Sequence, residues 1–268
     1  MTSLVALNPA AHRLHYVLPD VAVNHSARQQ LIPVVPGEFS FVATQLPLVL
    51  TKHEHTGEFG IAALCGFAPG ENVLVGGDTA TPSWQGLYVP LQLQRQPFFL
   101  GHDEQGGASI CIDPQHPAVG VLGAGGVVSG IASGVVSGVA HGQNAALPAG
   151  AERLFLDDGS ATGYLAQAAE LMKEIVAGEA QRRDLIALLL QLKLVQPLAL
   201  DVTFANGQSV RLQGLYSVDA QALAQLPEAD VLTLHRSGFL PAVYAMVQSM
   251  SQVYHLIHLK NQLLGQAG

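Results

Sequence analysis

The chain is short of charge. Only 12% of its 268 residues are Asp, Glu, Lys or Arg, about half the share of an average soluble domain. The balance is acidic, with a formal net charge of −8, and Lys and Arg never run beyond two in a row. A phosphate backbone is held by a basic face, so nucleic acid is excluded as a partner. An anionic membrane surface is disfavoured on the same ground. Aromatics make up 6% of residues, with a single tryptophan. Cysteine is scarcer still. Cys65 and Cys111 form no CxxC pair and sit in apolar surroundings, which reads as two buried reduced thiols rather than a disulfide framework. The start, MTSLVALNPAAHRLHY, lacks a basic n-region and a long apolar run, so no secretory signal is read and a cytoplasmic location is expected.

Several catalytic signatures are missing as well. There is no G-x-S-x-G elbow, no P-loop, and no G-x-G-x-x-G between a strand and a helix. Asp157-Asp158-Gly159 lacks the further spaced oxygens of a calcium loop and reads as a turn. His53 and His55 flank Glu54, but nothing fixes a third ligand. His102-Asp103 and His116 are the remaining candidates, and the expectation is no metal and no cofactor. His255 and His258 lie three apart on one helical face and read as partly exposed.

What is present is an aliphatic chain, 49% hydrophobic, with ample material for a buried core. The aromatics gather in Trp84–Leu100, WQGLYVPLQLQRQPFFL. Pro90 and Pro97 bracket this stretch and confine any helix to Leu91–Gln96. The segment can be a core wedge or the wall of a pocket. Glu71-Asn72, after the Pro69-Gly70 turn, can face that pocket or simply bond the turn. The candidate ligand-binding residues are therefore Trp84, Tyr88, Arg95 and Phe98, with Glu71 and Asn72 at the rim.

Patterning predicts an α+β fold: a mixed, mostly antiparallel sheet packed with helices from the C-terminal half. One or two helical turns are expected over Glu38–Gln45, then strands at Leu46–Thr51, Glu58–Phe67 and Asn72–Val75. Phe98–His102 and Ala108–Ile112 read as a hairpin around Gln105-Gly106-Gly107. Helices follow at Ala161–Ala177 and Ala180–Leu194, interrupted by Gly178 and ended by Pro197. Leu198–Phe204 and Ser209–Gly214 flank Asn206-Gly207, a strong hairpin signal, and this late hairpin is expected to join the early strands. Asp219 caps a short helix, a second begins at Pro227 and stops at Gly238, and a last one covers Leu240–Leu264. Residues 1–268 are read as a single domain.

Residues 118–150 are of different material. Glycines at 126, 130, 134, 138 and 142 and serines at 129, 133 and 137 recur every four residues. Such a stripe lets helices approach closely. However, the glycine content disfavours a helix, and no flanking cations fix an orientation across a bilayer. The reading is a mobile low-complexity insertion on the surface, with a glycine-zipper helix docked on itself or on a second copy as the alternative; the Val-rich, uncharged character of 118–150 suits self-association.

An ordered set of motifs resembles one bacterial family. They are TGEFGIAALCGFAPGENVLV (Thr56–Val75), Trp84, YVP (Tyr88–Pro90), RQPF (Arg95–Phe98), ICIDPQHP (Ile110–Pro117), ERLFLDDG (Glu152–Gly159), LDVTFANGQSVRLQGLYSVD (Leu200–Asp219) and LHRSGFL (Leu234–Leu240). Together they resemble the SapC-like proteins, as distinct from the peptide-transporter permease of the same name. Two departures stand out. Gln94 and Gln96 occupy positions where relatives carry an arginine and an aromatic, and the insertion replaces a short connector. The resemblance implies a link to surface-layer or peptide-modification systems, and it supplies no catalytic residues. Three readings follow. The first is a non-enzymatic accessory or binding protein for a protein, peptide or small ligand. The second is an enzyme of unrecognised type acting in peptide or metabolite modification beside an oxygenase. The third is a surface-layer component, for which the cell surface replaces the cytoplasm.

Overall fold

The computed structural model describes residues 4–76, 83–102, 108–123 and 147–266. Most of the glycine-rich stretch, 124–146, and the Gln105-Gly106-Gly107 turn therefore lie outside the described residues. The fold is α+β, and every described strand pair is antiparallel. The chain divides into two compact units. One comprises Met1–Ala27, Val75–Trp84 and Leu93–Glu174; the other comprises Arg28–Leu74, Gln85–Gln92 and Ile175–Gly268.

The second unit is built on a five-stranded sheet. Its order is Val195–Thr203, Ser209–Val218, Leu48–Lys52, Phe59–Leu64 and Leu31–Pro33. The late hairpin does join the early strands, with Leu215 opposite Thr51 and Tyr216 opposite Leu50. The central strands read as unbroken apolar runs because both faces are covered: Leu48, Val49, Leu50, Ile61, Ala63 and Leu64 are all buried. The sheet's edges are guarded. Pro197 and a bulge between Leu198 and Leu200 sit on the outer strand, and Pro33 ends the opposite one. Both devices discourage further strand addition.

The helices follow turn and cap chemistry. The Asp219 carboxylate accepts the Gln221 and Ala222 N–H groups and starts Ala220–Ala224. Pro227 precedes Glu228–Arg236 as its cap, and Gly238 follows with φ +76°. Among the described residues, no helix is long and apolar enough to cross a membrane.

Four expectations are corrected here. Gly178 does not interrupt the long helix, which runs unbroken as Gly163–Gln191. Val35 packs so closely there that a Cβ on residue 178 would lie 2.6 Å from the Val35 Cβ. Pro197 does not end that helix. Lys193, at φ 55°, makes the turn, and Pro197 lies inside the edge strand, where a missing N–H is tolerated. Asn72–Val75 is not a strand. The Asn72 side chain accepts the Leu74 N–H at 2.9 Å and bends the chain, leaving only Val75–Gly76 to pair with Ser83–Trp84. Finally, the last helix is two, Leu240–Ser249 and Gln252–Gln266. Just before the break, the Ser249 hydroxyl accepts the Leu48 N–H and donates to the Met246 carbonyl.

The first unit holds two three-stranded sheets. Phe98–His102 pairs with Ala108–Ile112 as expected, and Val5–Ala6 joins the other side of the latter strand. His15–Val17 lies between Val119–Val121 and Glu152–Arg153. Val17, Phe98, Ile112, Leu154, Phe155 and Leu165 form the heart of its core. Gly120 is required by a close approach: a Cβ there would fall 2.2 Å from Cζ of Tyr16.

Candidate functional site

The segment that follows Trp84 is held in the second unit by two polar side chains buried in an apolar run, Glu38 and Gln45. Pro36–Glu38 forms a tight turn that leads into the one-turn helix Phe39–Val42. Glu38 is 2% exposed. Its Oε1 accepts the Val35 N–H at 3.1 Å, and its Oε2 accepts the Leu91 N–H at 2.9 Å and the Tyr88 hydroxyl at 3.2 Å. Gln45 is 4% exposed. Its Oε1 accepts the N–H groups of Leu87 (2.6 Å) and Tyr88 (3.2 Å), and its Nε2 donates to the Tyr88 carbonyl at 2.6 Å. Buried polar groups demand such partners. The consequence is that Leu87–Leu91 is fixed by five hydrogen bonds to two side chains.

That anchored loop carries apolar surface outward. The Tyr88 ring stacks on Phe41 at 5.4 Å and 19°. Phe41 is 58% exposed and Leu87 is 93% exposed. Exposed single hydrophobics are ordinary, but here Leu87 stands on a loop anchored by Glu38 and Gln45, and Phe41 stacks on Tyr88 of the same loop. Phe41, Leu87, Glu38 and Gln45 were not among the sequence candidates. A signal was available: Glu38 and Gln45 interrupt the apolar stretch from Val34 to Leu50 and so call for internal partners.

Glu71 and Asn72 lie elsewhere in this unit. The loop after the early hairpin closes so tightly that a Cβ on Gly66 would meet the Glu71 backbone, and Gly70 has φ +75°. Glu71 Oε2 accepts the Phe67 N–H at 2.7 Å, while Oε1 pairs with Lys260 Nζ at 2.5 Å. Lys260 also lies 6.0 Å over Phe204, whose ring meets Phe67 edge-on at 5.2 Å. Asn72 makes the bend at Leu74. Tyr88 is thus grouped with Phe41, Glu38 and Gln45, and Glu71 with Lys260 and Phe67.

The other three candidates belong to the first unit. Trp84 pairs with Val75, and its N–H donates to the Asn24 side chain at 2.8 Å. Arg95 folds back on its own segment. It donates to the Phe98 carbonyl at 2.8 Å and lies 4.7 Å over the Phe99 ring, and burial lowers its pKa. Phe98 is 1% exposed and packs beside Tyr164.

His53 is held by local bonds. His53 Nδ1 accepts the His55 and Thr56 N–H groups, closing the turn of the early hairpin. An open groove of about 660 Å³ runs past this turn, lined by Lys52, His55, Glu58 and Arg182 among others. Among the described residues, no group of three metal-ligating side chains converges; Asp103 and the His102 side chain lie outside them. Cys65 and Cys111 are free and buried. Burial pushes the Cys65 thiol far above its usual range, which keeps it a thiol and not the reactive thiolate.

The SapC family model matches residues 7–256. The chain belongs to the SapC family. The match covers nearly the whole chain, including both units and the glycine-rich stretch within 118–150. No curated protein and no solved structure matches the chain.

Proposed function

We propose that this SapC-family chain is a non-enzymatic accessory or binding protein that recognises a protein surface through Phe41, Leu87 and Tyr88. The observation that carries this reading is the latch beneath them. Two buried polar side chains fix a loop whose outward face is apolar. Rigid aromatic and aliphatic anchors bind well because little ordering remains to be done on association, and interface energy concentrates in a few such residues. The surroundings fit an interface rim. Residues 39–50 and 84–94 carry no charged side chain and are interspersed with Ser40, Thr44, Gln85 and Gln92. In this reading Glu71, Asn72, Arg95 and Phe98 act structurally within their own units, and Trp84 supports its short strand pair.

The test is site-specific photo-crosslinking in the cells that make the protein. A photoreactive residue at position 87 or 41 is expected to yield discrete adducts. The same residue at Arg183, on the long helix, is expected to yield none. Gln45→Leu, which releases the loop and leaves its outward side chains unchanged, is expected to abolish the adducts. Equal labelling from all three positions, or adducts indifferent to Gln45→Leu, would overturn the reading.

A further inference from the structure

The open groove past the turn of the early hairpin is where this charge-poor chain gathers charge. Its volume is about 660 Å³, and four of its ten lining residues, Lys52, Glu54, Glu58 and Arg182, are charged, against 12% of the whole chain. Of these four, only Arg182 has an ion-pair partner among the described residues. Glu179, one turn earlier on the long helix, accepts from the Arg182 Nε and Nη2 and so fixes the guanidinium. The remaining nitrogen, Nη1, borders Gly60. A Cβ on that glycine would lie 3.2 Å from Nη1 and 3.4 Å from the Thr51 hydroxyl oxygen. The missing side chain therefore leaves a seat between two donors, and neither donates to another described residue.

The groove is also polarised. Residues two apart on a strand point to the same face and stand about 7 Å apart. Gly60 pairs with Thr51 and shares its face with Glu58, whose carbonyl continues the ladder by accepting the His53 N–H at 2.8 Å. Donors from Arg182 and Thr51 thus lie at one end, and the Glu58 carboxylate lies toward the other, with Glu54 in the adjoining turn.

We propose that this groove binds a small zwitterion, with its carboxylate on Arg182 and Thr51 and its ammonium on Glu58. The charged ends of such a ligand lie about 7 Å apart, the reach of a two-residue peptide or of an ω-amino acid of equal length. The site shares no residue with the Phe41, Leu87 and Tyr88 surface, and the inference does not depend on the reading given for that surface. A guanidinium already held in place by Glu179 makes charge-assisted bonds to a carboxylate with little further ordering. The two glutamates oppose an anion that has no cationic end, because like charge would face like charge. A bare metal ion is a poor occupant, since no three ligating side chains converge among the described residues.

The experiment is isothermal titration calorimetry of the purified full-length chain with diglycine and with 5-aminopentanoate, which has as many bonds between its charged ends. Each is compared with its N-acetylated form, which lacks the ammonium, and its amide, which lacks the carboxylate. The wild type is expected to bind at least one zwitterion, and to bind either capped form of it at least about tenfold more weakly, the effect of losing one charge-assisted contact. The tighter of the two zwitterions identifies the source as peptide or ω-amino acid. Glu58 is exposed, and Glu58→Gln is expected to lower the zwitterion to the affinity of its N-acetylated form while leaving that form unchanged. Arg182→Gln is expected to lower it to the affinity of the amide. Melting curves confirm that both variants are folded. Absence of binding by both zwitterions up to their solubility overturns the proposal. So does a capped form that binds as tightly as its parent, or full affinity retained in Glu58→Gln.

Discussion

Gln45 grips Tyr88 by both of its backbone polar groups. Its Oε1 accepts the Tyr88 N–H at 3.2 Å and its Nε2 donates to the Tyr88 carbonyl at 2.6 Å. A side-chain amide thus serves both backbone groups of a residue in an irregular loop. The same oxygen takes the Leu87 N–H at 2.6 Å, so both acceptor positions of one carbonyl are used.

Gln45→Leu should therefore destabilise the second unit by about 1–3 kcal/mol, the usual penalty for stranding partly buried backbone groups. The check is urea denaturation, combined with amide exchange at Leu87 and Tyr88. Exchange there should accelerate by more than the global stability change accounts for. Equal loss of protection throughout the unit would show that the bonds hold no particular loop.

Gly178 is not a hinge, and its substitution should demonstrate that. In an exposed helix Gly→Ala is worth about 1 kcal/mol in favour of alanine. Here the new Cβ would lie 2.6 Å from the Val35 Cβ, and overpacking of this kind costs about 1–3 kcal/mol. Gly178→Ala should lower stability in thermal or urea melts. Adding Val35→Ala should recover part of that loss as a coupling term in a double-mutant cycle. If Gly178→Ala stabilises the protein, the close approach of Val35 is refuted.

These two residues mark how far the sequence could be read. Local signals with one physical solution were visible in advance. Asn206-Gly207 fixed a hairpin, Asp219 a helix start and Gly238 a helix stop, each because backbone geometry admits few alternatives. The hairpin Phe98–His102 with Ala108–Ile112 was visible for the same reason. Gly178 misled because its reason lies about 140 residues away in Val35, and propensity alone says only that glycine weakens a helix. The first thirty residues hid two short strands, since three residues such as His15–Val17 are too few for alternation to show.

The candidate site was partly legible. Tyr88 could be picked out from its aromatic segment, but its partners could not, because Glu38 and Gln45 precede it by 50 and 43 residues. Phe98 and Arg95 have the composition of a pocket wall, yet one is core and the other is bonded to its own segment. Composition cannot separate these outcomes, since both use apolar area plus a polar handle.

Acid should weaken the first unit. His116 Nδ1 accepts the Ala118 N–H at 3.1 Å, and the ring lies 5.0 Å from that of His25. Burial first, and then the nearby His25, hold the His116 pKa below its ordinary value, against a smaller opposing effect of Asp113. His15 is lowered as well, by burial and then by His12. Below about pH 6.5 the unfolded chain therefore binds more protons than the folded one, and stability rises with pH through this range. The protein should be fully stable above about pH 6.5 and lose stability as pH falls toward the depressed folded values. The melting temperature between pH 8 and pH 5 tests this, with His116→Gln expected to flatten the acid slope. A slope unchanged in that variant would assign the acid sensitivity elsewhere.

The Glu71–Lys260 pair provides a graded test of what holds the loop after the early hairpin. Glu71 serves two donors, the Phe67 N–H and the Lys260 ammonium, whereas Lys260 serves Glu71 and the face of Phe204. Both side chains are about a fifth exposed, so solvent screens the pair and the ionic part is small. Lys260→Met keeps the aliphatic packing against Phe204 and should lower stability by about 1 kcal/mol or less. Glu71→Ala strands the Phe67 N–H and also frees the lysine, and should lower it by about 1–3 kcal/mol. Because the Phe67 bond survives in Lys260→Met, raising salt should narrow the difference between wild type and Lys260→Met and leave the Glu71→Ala deficit largely in place. Urea melts at two salt concentrations measure both. The reverse order of severity would mean that the ion pair, not the backbone bond, closes the loop.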